Sequence, residues 1–251
     1  SVEGVTLTRV KAVRTTKLIL FSSAHALLGS YGLPGGRHMY DLTVNRFRQK
    51  RGARLRAMIQ AEAERLARPI VILDVGGRPD YWLNVKPDRV AIIKVLNLHA
   101  AELERETVAG LNFENLVGDA CDLADFGDQS IDLVHSNSVV EHVGDWSRMQ
   151  SMTKELRRVG CAGWVQTPAF EFPIEPHWRM PFAHWFGRPI QSALLKARFR
   201  CSHADARVTA DSINLVSRRD FITLLPGTDV LTERFMLLPK SYIACWTSRA
   251  L

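Results

Sequence analysis

The chain has 251 residues, of which 46% are hydrophobic and 24% are charged. These proportions are those of a soluble globular protein, and they exclude a mostly disordered chain or a coiled coil. The length suits one large domain, and no apolar stretch approaches the ~20 residues that a membrane-spanning helix needs. The net charge of +7 favours anionic partners such as nucleic acid, phospholipid or phosphorylated substrates.

The four cysteines are spread singly along the chain, at Cys121, Cys161, Cys201 and Cys245. None belongs to a CxxC pair or stands at zinc-ligand spacing from a histidine, so the sequence indicates neither a disulfide framework nor a zinc knuckle. Reduced thiols of this kind are typical of a cytoplasmic protein, and we expect that location.

The N-terminal part of the chain is predicted to be helical, at residues 15–28 and 43–66. The first of these helices, within RVKAVRTTKLILFSSAHALLGS, also has the outline of a signal peptide. Because His25 interrupts its apolar run and lone cysteines do not suit an oxidising compartment, we interpret it as an amphipathic helix. We therefore divide the chain into an N-terminal helical extension, 1–68, that packs on a larger domain, 69–251.

From residue 69 onward, short apolar and β-branched runs alternate with helical segments. This alternation predicts an α/β fold, with a doubly wound, mostly parallel sheet and helices on both faces. Near the C-terminus, DVLTERFMLLP and SYIACW are close enough to pair as an antiparallel hairpin. A helix is also predicted from the spacing of Met149, Met152, Leu156 and Val159. The five parallel runs are 69–75, 89–98, 113–119, 131–137 and 163–170.

Small polar or acidic residues stand at the ends of four successive runs. The first run ends in Asp74, and Gly76 and Gly77 then allow a sharp turn close to a ligand. Taken alone, this turn is equally typical of an ordinary strand-to-helix connection. However, ligands of parallel sheets bind beyond the carboxyl ends of the strands, and Asn97 stands where a dinucleotide fold bonds the ribose hydroxyls. With Asp119, Ser136 and Asn137 at the next two ends, the pattern predicts a cleft for a nucleoside.

Four blocks, VILDVGG, NLVGDACDL, SIDLVHSNSVVEHVGDW and KELRRVGCAGWVQTPAF, together resemble the class I S-adenosylmethionine-dependent methyltransferases. The resemblance covers roughly residues 69 to 250 and implies a Rossmann-like, seven-stranded sheet that binds S-adenosylmethionine. By the same resemblance, Asp74, Gly76 and Gly77 would line the methionine side of the cofactor and Asn97 its ribose. Asp119 and Ala120 would contact the adenine, and Ser136 and Asn137 would form the floor near the sulfonium.

Two departures from the family pattern concern the cofactor loop and the ribose site. Arg78 and Asp80 replace further glycines in the first loop, and Asn97 replaces the usual acid. Asn97 can still bond both hydroxyls, and a sulfonium donor carries no pyrophosphate, so the need for three glycines is relaxed. A cofactor-binding or membrane-peripheral scaffold that has lost activity through Arg78 and Asp80 remains an alternative.

A base for the acceptor hydroxyl is expected beside the fourth strand end, where Glu141 and His142 stand. Some ubiquinone-pathway methyltransferases have a similar Glu-His pair with a further Glu three residues earlier and bind a metal there. Because Ser138 occupies that earlier position, we expect no metal site. The alternatives are that Glu141 is a helix N-terminal acid favoured by the macrodipole and that His142 is a hydrogen-bonded structural histidine.

The segment from about 170 to 210 is predicted to be an insertion that covers the acceptor. Its first part, FEFPIEPHWRMPFAHWFGRP, combines titratable groups with several aromatic residues, among them Phe172, Trp178, Phe182, Trp185 and Phe186. His177, in the same stretch, is our second candidate for the base. The alternatives are a peripheral hydrophobic cluster and a patch that touches a membrane.

We therefore predict an O-methyltransferase that acts on a small molecule, a sugar or a lipid-linked glycan. The basic residues at 46–56 are interpreted as a solvated helix face, although they would also attract RNA phosphates or anionic lipid headgroups. RNA methylation is the alternative that the charge favours. We disfavour nucleic acid because Phe47 alone interleaves with these arginines. The sequence leaves open the acceptor and the oligomeric state.

Overall fold

The computed structural model describes residues 37–99, 105–108 and 110–247. The described residues fall within one compact unit, 36–251. The predicted helix at 15–28 lies outside the described residues. The helix predicted at 43–66 is present as α1, Arg37–Arg65. The boundary between an extension and a larger domain at residue 68 stays a prediction.

The main sheet has eight strands in the order β3-β4-β2-β1-β5-β6-β10-β9. β1, β2, β4, β5 and β6 run parallel to one another, while β10 pairs antiparallel with both β6 and β9. The fold class predicted from the sequence is therefore confirmed. The strands are β1 (Ile70–Val75), β2 (Val90–Asn97), β3 (Arg105–Val108), β4 (Leu111–Val117), β5 (Ile131–Asn137), β6 (Gly160–Pro168), β9 (Asp229–Phe235) and β10 (Leu238–Trp246).

The seven predicted strands are all present, and β3 is an addition that the sequence did not indicate. It is a four-residue strand that pairs antiparallel with β4 at the sheet edge. A separate two-stranded ribbon, β7 (Ile174–Glu175) and β8 (Met180–Pro181), lies in the segment that follows β6.

Alternate residues of each buried strand point to opposite sides of the sheet, so both faces present apolar side chains. Helices cover both of these faces. On one face, Ile70 and Ile72 of β1 pack in a cluster with Leu55 and Ile59 of α1. On the other face, Leu73 and Val75 pack with residues from two later helices. The remaining helices are α2 (Pro79–Val85), α3 (Trp146–Val159), α4 (Arg188–Phe199), α5 (His203–Asp211) and α6 (Arg218–Leu224), with 3₁₀ turns at Val140–His142 and Ala183–Trp185.

Helix α3 follows from its sequence in both position and orientation. The Asp145 side chain caps its N-terminus by accepting a hydrogen bond from the Arg148 amide. The predicted apolar stripe of Met149, Met152, Leu156 and Val159 is buried against the sheet. The helix forms the crossover that connects the carboxyl end of β5 to the start of β6.

Residues 170–211 form the insertion between β6 and α6. It contains the β7–β8 ribbon, the second 3₁₀ turn and helices α4 and α5. Trp178 and Leu195 belong to a small hydrophobic core of its own, separate from the cores on the two faces of the sheet. Within the described part of the chain, no helix combines the length and the apolar character needed to cross a membrane.

Candidate active site

The first loop, between β1 and α2, is shaped by two glycines that cannot carry side chains. Gly76 has φ +71°, and a Cβ there would lie 2.5 Å from Val139 Cγ2. A Cβ on Gly77 would lie 1.7 Å from the Asp74 carboxylate. Arg78 and Asp80, by contrast, form an ion pair at 3.2 Å whose side chains are 77% and 68% exposed. Arg78 and Asp80, which depart from the family pattern of this loop, therefore face solvent instead of filling the loop.

Asp74 lies beneath this loop and is fully buried. Its Oδ2 accepts a hydrogen bond of 2.7 Å from Trp82 Nε1 of α2, and its Oδ1 is 2.6 Å from His135 Nδ1 of β5. A carboxylate only accepts, so His135 donates from Nδ1. Asp74 thus ties the first loop to the helix and strand that flank it. Its contact with a cofactor remains a prediction.

Asn97 and Asp119 stand at the ends of β2 and β4, as expected. Asn97 Nδ2 donates to the carbonyl of Gly77 at 3.2 Å, which places its amide against the first loop. Asp119 accepts from Arg148 of α3 at 2.8 Å and from the Cys121 amide at 2.9 Å. Burial pushes the pKa of Asp119 upward, but these hydrogen bonds outweigh burial and hold the pKa below its usual range. Ala120, beside it, packs against the core.

Ser136 and Asn137 end β5, next to β1. Ser136 is fully buried and its hydroxyl donates to the Val75 carbonyl at 3.2 Å. Asn137 Oδ1 accepts a hydrogen bond of 2.7 Å from Arg51 of α1. That arginine also forms a buried ion pair with Glu233, at 2.8 Å. Arg51 therefore belongs to this edge of the sheet, whereas the sequence suggested only a solvated basic face.

The three residues proposed to handle the acceptor proton come together in one cluster. His142 Nε2 and His177 Nε2 are 3.0 Å apart, although 35 residues separate them in the chain. Oε1 of Glu141 lies 4.0 Å from His142 Nε2. The cluster is close to the tips of β5 and β6, because Thr167 of β6 donates to Glu141 Oε2 at 2.9 Å.

Each histidine of this cluster is held by its other ring nitrogen. His142 Nδ1 lies 3.3 Å from the carbonyl oxygen of Ser212. His177 Nδ1 lies 2.6 Å from the carboxylate of Glu175, which is fully buried and also accepts from the Trp178 amide. Both partners are acceptors, so each Nδ1 is the donor. These contacts fix the rings with Nε2 of each pointing at the other.

Burial and charge perturb two members of the cluster. Burial raises the pKa of Glu141 to about 7, against the opposing effects of His177 and the Thr167 hydrogen bond. Burial lowers the pKa of His177, but the Glu175 hydrogen bond and the charges of Glu175 and Glu141 outweigh it and raise that pKa. Ionisable groups with shifted pKa values that lie together at the strand tips are typical of a functional site.

Several residues of the site were not found from the sequence. Glu175 lies in the aromatic segment, but no role was predicted for it. Its position two residues before His177, with Pro176 between them, was a signal visible in the sequence. Thr167, Arg148 and Ser212 act through contacts across long stretches of chain, and nothing in their local sequence indicates them.

Several solved structures are similar to this chain at low sequence identity. Among solved structures, an O-methyltransferase family protein from Burkholderia thailandensis is similar, at 13% identity and a TM-score of 0.47 over 81% of this chain and 59% of that one. Magnesium protoporphyrin IX methyltransferase from Synechocystis PCC 6803, solved with bound SAH, has 12% identity and a TM-score of 0.49 over 90% and 94% of the two chains. A SAM dependent methyltransferase from Archaeoglobus fulgidus has 15% identity and a TM-score of 0.49 over 83% and 99%.

No curated protein matches the sequence significantly. The informative finding is the match of residues 73–163 to the family model described as a methyltransferase domain. The matched residues run from β1 through the first loop, the tips of β2, β4 and β5, and helix α3 into β6. They include the Asp74, Asn97, Asp119 and Asn137 positions that the sequence analysis singled out. Residues 73–163 of the chain therefore match a methyltransferase domain, as the resemblance of its sequence blocks to the class I S-adenosylmethionine-dependent methyltransferases implies.

Proposed function

We propose that the protein is an O-methyltransferase that transfers the methyl group of S-adenosylmethionine to a hydroxyl of a small molecule, a sugar or a lipid-linked glycan. The observation that carries this proposal is the convergence of Glu141, His142 and His177 beside the strand tips. A hydroxyl acceptor must lose its proton as the methyl group leaves sulfur, and this cluster offers nitrogen lone pairs at that edge.

The cofactor would lie across the tips of β1, β2, β4 and β5. Asp74, Gly76 and Gly77 would shape the methionine side, and Asn97 would face the ribose. Asp119 and Ala120 would hold the adenine, while Ser136 and Asn137 would form the floor below the sulfonium. The exposure of Arg78 and Asp80 supports an active loop over the alternative of an inactive scaffold.

The reaction requires the acceptor oxygen to attack the methyl carbon in line with the carbon–sulfur bond. An oxygen–carbon bond forms, the carbon–sulfur bond breaks, and the hydroxyl proton passes to the cluster. Alignment of this kind supplies several kcal/mol of the barrier, and a positioned base adds about 100-fold to 10,000-fold. Of the three residues, the nitrogens of His142 and His177 are the candidate proton acceptors, and Glu141 would set the local charge.

The insertion at 170–211 is proposed to enclose the acceptor. A cavity of about 320 Å³ lies within it, and its lining includes Trp178 and Asn214. Asn214 contacts the cluster directly, since its amide donates to the Glu141 carbonyl, and the Trp178 amide donates to Glu175, the carboxylate that holds His177. Phe182, Trp185 and Phe186 are each about half exposed on the outside of the insertion, which supports an acceptor with a lipid tail or contact with an anionic membrane.

We keep a cytoplasmic location as part of the proposal, because all four cysteines are free thiols. The function is tested first by calorimetry with S-adenosylhomocysteine, for which we expect micromolar binding. The second test follows methyl transfer from labelled S-adenosylmethionine to a panel of sugars, phenols and lipid-linked glycans, with RNA as the comparison. Absence of cofactor-product binding would leave the scaffold alternative, and salt-sensitive labelling of RNA alone would favour the RNA enzyme.

A further inference from the structure

The two histidines of the cluster face each other with their acceptor nitrogens. Because each Nδ1 donates its hydrogen, to the Ser212 carbonyl or to the Glu175 carboxylate, each neutral ring has a lone pair on Nε2. These two lone pairs are 3.0 Å apart. At that distance they repel each other unless a positive group lies between or beside them. A proton or a metal ion satisfies this requirement.

The third member of the cluster is a buried carboxyl group with one oxygen that accepts no hydrogen bond from the described residues. Glu141 is 0% exposed, and among the described residues no group donates a hydrogen bond to its Oε1. Its other oxygen is held by Thr167. A buried carboxylate oxygen without a hydrogen-bond donor bears its desolvation penalty without compensation. Since Oε1 is the oxygen nearest His142 Nε2, at 4.0 Å, a cation placed at the two nitrogens would also pair with it.

We propose that Glu141, His142 and His177 form a binding site for one divalent transition-metal ion of the zinc class. One potential ligand atom from each of the three residues lies within 4.8 Å of the other two. Two imidazoles and one carboxylate select zinc and related ions over magnesium or calcium, which prefer oxygen ligands. Three protein ligands also leave one position open, as in catalytic zinc sites.

The outer contacts of the cluster are those that metal-binding histidines use. A metal-ligating histidine usually donates its second ring hydrogen to a carboxylate or to a backbone carbonyl, which fixes the ring and makes the ligand more basic. His177 has the first arrangement, through Glu175, and His142 has the second, through Ser212. Thr167 orients the carboxylate ligand in the same way. Ser138 could not complete a site with Glu141 and His142, but His177 of the insertion supplies the third ligand.

The use of the ion in catalysis rests on the proposed function, whereas the metal site itself does not. With an ion bound, its open position would take the acceptor oxygen and lower the pKa of that hydroxyl. The hydroxyl proton would then pass to solvent water instead of to a histidine nitrogen, and the ion would stabilise the oxygen that attacks the methyl carbon.

Metal binding can be measured directly on the full chain. The protein is freed of metal with a chelator, and binding of Zn²⁺ is followed by calorimetry and by elemental analysis after dialysis. Co²⁺ then serves as a spectroscopic substitute, because a site of two imidazoles and a carboxylate shows no thiolate charge-transfer band. We expect one equivalent bound, without that band. A thiolate band or a stoichiometry of zero would overturn the assignment.

The Zn²⁺ affinities of single variants test which residues bind the ion. His177→Ala should weaken Zn²⁺ binding at least 100-fold and Glu141→Gln about 10-fold or more. Glu175→Gln keeps all three ligands yet should weaken binding about 10-fold to 100-fold, because it removes an outer contact. The matched control is His203→Ala, since His203 is an exposed histidine outside the cluster, and its affinity should stay unchanged.

Circular dichroism of the metal-free variants checks that they fold. If a variant that lacks a metal ligand does not fold, Glu175→Gln provides the test in its place. Unchanged Zn²⁺ affinity in His177→Ala and Glu175→Gln would refute the site. Calorimetry of the metal-free protein with S-adenosylhomocysteine separates the two proposals. Zinc binding without cofactor-product binding refutes only the proposed function, and the reverse result refutes only the metal site.

Discussion

Gly77 lies directly over the carboxylate of Asp74, so close that a Cβ on this glycine would stand 1.7 Å from Oδ2. The buried acid is therefore the reason for the second glycine of the first loop. Its two oxygens are already engaged by Trp82 and His135, and the loop has no room to rise away without breaking one of those bonds.

Gly77→Ala should therefore destabilise the protein by roughly 2–4 kcal/mol, because the methyl group displaces a buried, hydrogen-bonded carboxylate. Gly52→Ala is the matched control. Gly52 lies within α1, and a Cβ there meets its nearest atoms at 3.6 Å or more, which is ordinary contact. This control should stabilise the protein by about 0.5–1 kcal/mol. Urea unfolding measures both, and equal effects in the two variants would contradict the steric account.

Trp82→Phe tests the hydrogen bond to Asp74. It removes the Nε1 donor and leaves Oδ2 of a fully buried carboxylate with one partner fewer, so we expect a loss of about 2–3 kcal/mol beyond the change in packing. Trp164→Phe provides the comparison, because Trp164 is also buried but its Nε1 has no hydrogen-bond partner among the residues that the structure describes. Denaturation curves should show the smaller loss for Trp164→Phe, and the opposite order would exclude the proposed role of the Trp82–Asp74 bond.

The sheet was predictable because its determinants are local. Each buried parallel strand is a short apolar run closed by a polar or glycine residue, and the stripe of Met149, Met152, Leu156 and Val159 fixes one helix in orientation as well as position. β3 was missed because four residues paired only at an edge leave no periodic signal. Helix α2 was missed as well, although Pro79 at its start is a recognised helix signal.

The candidate site was predictable only in part. Strand tips follow from the fold, so Asp74, Asn97, Asp119 and Asn137 could be placed at one edge from the sequence. Contacts between residues that are far apart in the sequence could not be anticipated. His177 meets His142 across 35 residues, and Arg51 meets Glu233 across 182. No local pattern encodes such pairs, because they depend on how the insertion and α1 pack on the finished sheet.

Asp119→Ala tests the predicted adenine contact. We expect the affinity for S-adenosylhomocysteine to fall about 10-fold, since one hydrogen bond to a charged acceptor contributes roughly 1.5 kcal/mol or more. Asp125→Ala removes an exposed acid from the same loop and should leave the affinity within a factor of about two. Isothermal titration calorimetry compares the two variants. An unchanged affinity in Asp119→Ala would remove the adenine assignment.

The Glu155–Arg158 pair of α3 predicts a pH dependence of stability. The hydrogen bond from Arg158, at 2.7 Å, is the main cause that holds the pKa of Glu155 below its usual value. A depressed carboxyl pKa adds stability above the pKa of the unfolded chain, and this stability is lost as the pH falls through the folded value. Glu155→Gln should therefore cost about 1–2 kcal/mol at pH ~7 and progressively less below pH ~4.5.

Asp128→Asn is the control for that measurement, because Asp128 pairs with the same Arg158 at 2.8 Å but is 78% exposed. Exposed pairs contribute about 0–1 kcal/mol, so we expect a small effect at either pH. Urea unfolding of both variants across the acidic range provides the data. A Glu155→Gln penalty that does not shrink on acidification would show that the interaction does not depend on the carboxylate charge.

Arg51 links α1 to the strand tips through Asn137 and Glu233, and the side chains of the ion pair are only 11% and 7% exposed. Arg51→Met should destabilise the protein by about 3–5 kcal/mol, because Glu233 is left buried without its counter-charge. The double variant Arg51→Met, Glu233→Met should recover at least half of that loss, since apolar replacement of a buried pair is often neutral. Both variants also release Asn137, so each should bind S-adenosylhomocysteine several-fold more weakly if that amide forms the cofactor floor. A double variant as unstable as the single one would mean that Arg51 stabilises the fold through the hydrogen bond to Asn137 and not through its charge.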